Sequence, residues 1–206
     1  MKTMIVLAAG VAILSACATQ LSESERHARA EAMFKAGFSK GNPAMVTRVV
    51  NQDDVQAACS KYPRDVPKDV ASQIEKSQQA TIRYPDSGSL MGDWREGEKI
   101  AQDGWGLRFT DLGEPNRKNG GNCYACHRLA PQELSYGTLG PSLYQFGKLR
   151  GYTEEMRRYA YGKIYNAQAF SACSSMPRFG HNGILTEQQI RDVVALLMDP
   201  DSPVNK

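Results

Sequence analysis

Five consecutive residues, Cys123-Tyr124-Ala125-Cys126-His127, constrain this chain more than any other stretch. They spell C-x-x-C-H, the pattern by which a c-type haem is attached. Two thiols at this spacing add to the two vinyl groups of one porphyrin. The next residue then lies within reach of the iron, where an imidazole serves as proximal ligand. C-x-x-C alone also serves zinc and thioredoxin-like redox sites. Zinc would need two further ligands at matching spacing, and the chain has three His and no second Cys pair of this form. The pattern therefore predicts one covalently bound haem c, held by Cys123 and Cys126, with His127 on the iron.

The N-terminus agrees with such chemistry. Lys2 supplies a positive start and Met4 to Leu14 is a short uncharged apolar run. That run is too short to span a bilayer comfortably and reads as a signal peptide. Two cleavage readings compete. Leu14-Ser15-Ala16-Cys17 resembles a bacterial lipobox, in which Cys17 becomes the lipidated first residue; Ala16-Cys17-Ala18 also forms an A-x-A site. The lipobox fits better. Either reading exports the chain to the periplasm, where bacterial c-type haem is attached, and no other stretch could cross a membrane. The formal charge of +3 would be largely offset by two haem propionates. No Lys/Arg tract suggests a nucleic-acid partner, so membrane contact is expected only through the lipid anchor.

The five cysteines can be apportioned. Cys17 is lipidated or removed, and Cys123 and Cys126 take haem. Cys59 and Cys173 remain, an even pair in an oxidising compartment. They are expected to form a disulfide tying an N-terminal extension to the haem domain. The alternatives are two separate buried thiols, or Cys173 reserved for iron.

At 41% hydrophobic and 23% charged residues, the 206-residue chain has ordinary globular composition, enough for one domain plus an extension. The pattern divides it into a signal peptide of lipoprotein type (1–17), a helical extension (18–85) and a haem domain (86–206). In the extension, Ser22 starts a helix that runs to about Phe38 and ends at Gly37 and Gly41-Asn42-Pro43. Further helices are expected over about Ala44–Ala58 and Asp69–Arg83. His27, the extension's only His, reads as a solvated helix-face residue. Pro85 to Ser89 is a turn-rich boundary.

In the haem domain, a short helix over Asp93–Ala101 precedes the Gly-rich approach Asn119-Gly120-Gly121-Asn122, whose glycines let backbone pass close to a flat cofactor. After His127, Pro141 can offer its carbonyl to the second imidazole nitrogen, the orienting acceptor that a proximal His needs. Thr153 caps a helix running to about Phe170, with Glu154 and Glu155 in its first turn. Its Tyr159, Tyr161 and Tyr165 line a haem pocket or fill the core. Thr186 and Gln189 form a capping-box pattern ahead of Ile190, Val193, Val194 and Leu197, one apolar helical face. No strand pattern occurs, and the mature chain reads all-α.

The ligand opposite His127 decides the function. Of eight Met, Met176 stands out because Ser174-Ser175-Met176-Pro177-Arg178-Phe179-Gly180 is a loop between two helices that can aim a thioether at iron, stiffened by Pro177. Met156 and Met198 fall on helices and read as core filler. His181 is a rival, as are an unpaired Cys173, a Lys, or an open site. Met suits electron transfer; an open site would imply a haem sensor or enzyme. No pair of acids, distal His/Arg set or nucleophilic triad can be picked out, so no catalytic residue is assigned.

The stretches GNCYACHRLAPQELSYGTLGPSLYQFGKLRG and MPRFGHNGILTEQQIRDVVALLMDPDSPVN, with the helix before them, resemble SoxX, the monohaem cytochrome c subunit of bacterial SoxAX complexes. The resemblance covers roughly Gly92 to Asn205. It implies a class I cytochrome c fold behind an N-terminal helical extension, with Cys123 and Cys126 holding haem, His127 proximal and Met176 distal. It also implies a SoxA-like haem partner, a SoxY-like carrier protein whose cysteine is coupled oxidatively to thiosulfate, and a small cytochrome c acceptor. On that pattern the chain is the electron-transfer subunit of an L-cysteine S-thiosulfotransferase complex whose catalytic haem sits on the partner. Read from the residues alone, it is an exported monohaem electron carrier.

Overall fold

The last long helix is the axis on which the haem-motif half of the molecule packs. The computed structural model describes residues 21–41, 47–48, 51–112, 114 and 116–206; the leader, including Cys17, lies outside them. The described residues form helices and turns without a strand. The helices are α1 (Glu23–Gly37), α2 (Asp54–Lys61), α3 (Lys68–Gln79), α4 (Trp94–Gln102), α5 (Phe146–Arg150), α6 (Glu154–Tyr165) and α7 (Glu187–Met198). Short 3-10 turns cover Cys123–Ala125, Ala167–Ala169 and Pro203–Asn205. The all-α reading holds.

Helix α7 starts as its sequence dictates. Gln189 N donates to Thr186 Oγ1 (3.3 Å) and Thr186 N donates back to Gln189 Oε1 (3.1 Å), so each satisfies an orphan donor of the first turn. Ile190, Val193, Val194 and Leu197 are buried, as the periodicity requires. Ala195, Leu196 and Met198 are buried as well, because α4, α6 and the 203–205 turn pack on the helix from different sides. Each fully buried aliphatic side chain contributes about 1.5–3 kcal/mol.

The α4–α7 crossing is a close backbone approach made by small residues. The α4 residues buried in the crossing are Gly97 and Ala101. A Cβ on Gly97 would lie 2.1 Å from the Asp192 carbonyl oxygen and 3.0 Å from Leu196 Cβ. Just before α4, Gly92 N donates to Arg191 O (3.1 Å) and Asp93 N to Asp192 Oδ1 (2.9 Å). The buried Asp192 carboxylate also accepts from Gln188 Nε2 (2.8 Å), so its charge is met by donors.

Three helix boundaries differ from expectation. The helix expected over 44–58 lies partly outside the described residues, but the chain leaves helical geometry at 51–53 and α2 restarts at Asp54. The cause is a second capping box: Asp53 Oδ1 accepts from Gln56 N (2.8 Å), while Gln56 Oε1 accepts from Asp53 N (3.1 Å). Helix α3 ends at Gln79, short of Arg83, where Thr81 Oγ1 turns back to donate to Gln78 O (2.7 Å). Helix α6 ends at Tyr165, short of Phe170. Fully buried Asn166 gives its side chain to Gln78 Oε1 (3.0 Å) and Thr81 Oγ1 (2.9 Å), and its Oδ1 caps the 167–169 turn.

Candidate haem site

The approach to the motif is built from backbone contacts. Gly120 N donates to Trp105 O (2.9 Å) and Gly121 N to Ile100 O (2.8 Å), and a Cβ on Gly120 would fall 1.9 Å from Asp103 O. Asn122 then takes a left-handed conformation (φ +47°), which Asn tolerates better than most residues. This reverses the chain into the Cys123–Ala125 turn, closed by His127 N donating to Cys123 O (2.9 Å). Both cysteines of the motif are free and half-buried. Cys123 packs against the core that contains α7, and burial pushes its thiol up to about 12. Among the described residues no group of three or more His, Cys, Asp or Glu gathers as a metal cluster, so the zinc alternative finds no further ligands.

The segment Gly137–Leu143 runs along the motif. Gly137 N donates to Tyr124 O, Gly140 N to Cys126 O and Leu143 N to Arg128 O, each at 2.8 Å. Its consequence is the position of His127, whose Nδ1 lies 2.7 Å from Pro141 O. A carbonyl oxygen only accepts, so Nδ1 carries the proton and Nε2 keeps its lone pair. Gly140 makes this possible: a Cβ there would lie 2.2 Å from His127 Cε1. Sequence reasoning named Pro141 but missed Gly140, whose requirement appears only when the imidazole is placed.

Met176 is half-buried against the same core, and its N donates to Ser174 Oγ (3.3 Å). The rival ligands stand differently. Cys173 is bonded to Cys59, so its sulfur is engaged. His181 is exposed, and its backbone N donates to Tyr165 O (3.1 Å). Met198 is fully buried core and Met156 packs at the core's edge. Tyr161 is fully buried, whereas Tyr159 is 37% exposed and Tyr165 half-buried, so the three tyrosines do not share one environment. His27 is exposed on α1.

Around the Met176 loop lies a polar cluster that the sequence did not announce. Arg178, with only 7% of its side chain exposed, pairs with Asp53 and donates to Gln78 Oε1 (3.2 Å). Glu75 Oε1 accepts from Ala172 N (3.1 Å). These partners come from segments far apart in the chain, and no local spacing marks them.

The residues fit a covalently held haem c: two free thiols at the required spacing, that of Cys123 at the core's edge, and an imidazole whose Nδ1 is turned to Pro141 O. Such a group supplies an iron that takes up and releases one electron. The protein's part is to hold the ring, orient the imidazole through Pro141 and shelter the site with apolar side chains.

Comparison with known proteins supports this assignment. Residues 109–199, which include Cys123 to His127 and Met176, match the family model described as cytochrome c. A protein of Aquifex aeolicus (strain VF5) described as an uncharacterized lipoprotein is 38% identical over 205 residues, covering 97% of this chain and 95% of that one. The chain is thus of one family with the Aquifex lipoprotein along its length, and its residues 109–199 form a cytochrome c domain, the kind that carries covalently bound haem c.

Proposed function

We propose that the chain is an exported electron-transfer cytochrome carrying one haem c, and that it works as the SoxX-like subunit of a SoxAX-type complex. In this role it accepts electrons released when thiosulfate is coupled to a carrier-protein cysteine, and passes them to a small cytochrome c. The observation that carries the electron-transfer part is the contact between His127 Nδ1 and Pro141 O (2.7 Å). It supports a proximal ligand held in one orientation and one tautomer. Met176, in a loop on the same apolar core, is the distal ligand of this reading. Support for the sulfur-oxidising role comes from the sequence around that contact. The G-x-L-G-P-S-L-Y segment, which brings Gly140 and Pro141 to His127, and the F-G-K-L-R-G that follows it carry the resemblance to SoxX well beyond C-x-x-C-H.

The rest of the reading follows. Residues 18–85 are a helical extension and 86–206 the cytochrome domain. A SoxA-like haem subunit carries the catalysis. The chain is periplasmic, and the description of the Aquifex relative as a lipoprotein favours the lipobox, with Cys17 as the anchored residue. The test has four measurements. The visible and magnetic-circular-dichroism spectra of the purified holoprotein should report a low-spin His/Met haem c. Purification from the native host should bring a second haem protein with it. Thiosulfate-dependent electron flow in the reconstituted complex should fall sharply in Met176→Leu; unchanged flow would refute the role. Cys17→Ser should release the protein from the membrane fraction.

A further inference from the structure

The Met176 loop is held from both sides by helices far upstream. On the N-terminal side, Cys173 is bonded to Cys59 of α2 with Cα atoms 5.3 Å apart, and Ala172 N donates to Glu75 of α3 (3.1 Å). On the C-terminal side, the buried Arg178 guanidinium pairs with Asp53, the cap of α2, and donates to Gln78 of α3 (3.2 Å). Gln78 is itself buried and also accepts from Asn166 at the end of α6. Between these fixed points lie Ser174, Ser175, Met176 and Pro177, with no helix or strand to hold them.

We propose that α2 and α3 form a clamp that positions Met176: Asp53, Cys59, Glu75 and Gln78 are positioning residues that act through Arg178, Cys173 and Ala172. The inference rests on reading Met176 as the distal ligand. The physical case is one of placement. A thioether is an uncharged ligand that cannot draw itself to iron over distance, so its residence there depends on how few other positions its backbone can take. A free loop would explore many. Here a covalent bond and an ion pair with a buried guanidinium flank the ligand at three and two residues' distance. The pair is also costly to break singly, because the buried Arg178 guanidinium would lose its carboxylate and keep only the Gln78 acceptor.

The experiment uses the haem-loaded full chain, with three variants: Cys59→Ser/Cys173→Ser, Asp53→Asn and Glu75→Ala. Asn still caps α2, so Asp53→Asn removes the charge without removing the cap. Three readouts are taken: the near-infrared charge-transfer band of sulfur-ligated ferric haem, the rate at which ferrous haem binds carbon monoxide, and amide hydrogen exchange. In wild type the band should be present, carbon monoxide binding slow and residues 171–178 protected. Opening the clamp should speed both carbon monoxide binding and exchange at 174–176 by about tenfold, the effect of losing ~1.4 kcal/mol of restraint. Exchange in α7 should not change. Should the double variant fail to fold, the two single variants carry the test.

Faster exchange with an unchanged band and unchanged carbon monoxide binding would overturn the proposal, since the clamp would then be merely structural. Unchanged values on all three readouts in folded variants would also overturn it. A wild-type protein without the sulfur band would overturn the ligand assignment first and the clamp's purpose with it. That failure is distinct, because it shows before any variant is made.

Discussion

Gly97→Ala is a stringent test of the α4–α7 crossing, because two effects of known size oppose each other there. In an isolated helix, Ala is favoured over Gly by about 1 kcal/mol. In this fold the new Cβ would lie 2.1 Å from the Asp192 carbonyl oxygen and 2.7 Å from its carbonyl carbon, where ordinary contact begins near 3.4 Å. The obstacle is main chain in the middle of a buried helix and cannot swing away as a side chain would. The helices must therefore part by roughly 1 Å, and a close-packed core feels that along its whole contact. Overpacking of this kind costs up to about 3 kcal/mol. The net loss is about 2 kcal/mol, which at ~4 °C per kcal/mol for a chain of this size lowers the Tm by about 8 °C. Thermal unfolding of the haem-loaded protein, followed by far-ultraviolet circular dichroism, checks it. A Tm equal to or above wild type would show that helix propensity wins, and would refute the close approach.

Gly140→Ala would put a Cβ 2.2 Å from His127 Cε1 and should tilt the imidazole off Pro141 O, altering the haem spectrum and potential while leaving the haem covalently attached. Pro141→Ala keeps the carbonyl acceptor and should leave the spectrum near wild type; the reverse ranking would refute backbone orientation of His127. Burial raises the Asp53 carboxyl, but the Gln56 N–H and the Arg178 guanidinium outweigh it and hold the group below the usual range; His181 also faces it. A lowered folded pKa means its stabilisation is full above the ordinary value of about 4 and is lost as pH falls through the folded one. Protection in 171–178, taken relative to the intrinsic exchange rate at each pH, should therefore stay flat from neutral pH to about pH 5 and fall only below about pH 4, a limb that Asp53→Asn should lack.

The two sides of the site were legible to different degrees, and the reason is distance along the chain. The proximal side is local. Cys123 to His127 and the Gly137–Leu143 segment that orients His127 lie within one stretch, so motif and second-ligand logic reached Pro141 directly. The α7 face was legible for the same reason, since a 3.6-residue period is a property of neighbours. What failed was also instructive. The helix ends at 79 and 165 are set by Thr81 and Asn166, whose side chains bond across the fold, and propensity carries no information about that. The α2 start was readable from the spacing of Asp53 and Gln56, the same device as Thr186 and Gln189, but was overlooked inside a longer helical pattern. Arg178, Asp53, Glu75 and Gln78 carry no local signature at all.

Within the N-terminal helices, a sharp division of labour follows from burial. Helix α1 buries no residue. It is held by its own devices: the Ser22–Glu25 capping box and an exposed Lys35–Glu31 pair at 2.6 Å. Surface pairs of this kind contribute little, and a 15-residue helix with no buried face is marginal in water. Its aromatic contact is Phe34 against Phe38 (4.5 Å), and Phe38 in turn meets Phe109 edge-on at 4.9 Å. Deleting residues 23–37 removes the first of these and spares the second. The expected loss is at most about 1 kcal/mol, with the haem spectrum and exchange in 171–178 unchanged. Helices α2 and α3, by contrast, bury Val55, Ile74 and Gln78 and reach the Met176 loop through four side chains. A Tm drop well beyond ~5 °C, or a changed axial signature on deleting α1, would show that the restraint on Met176 begins earlier in the chain. Unchanged values would place it at Asp53, making the segment from there to Gln78 part of the haem site although it lies far outside the motif.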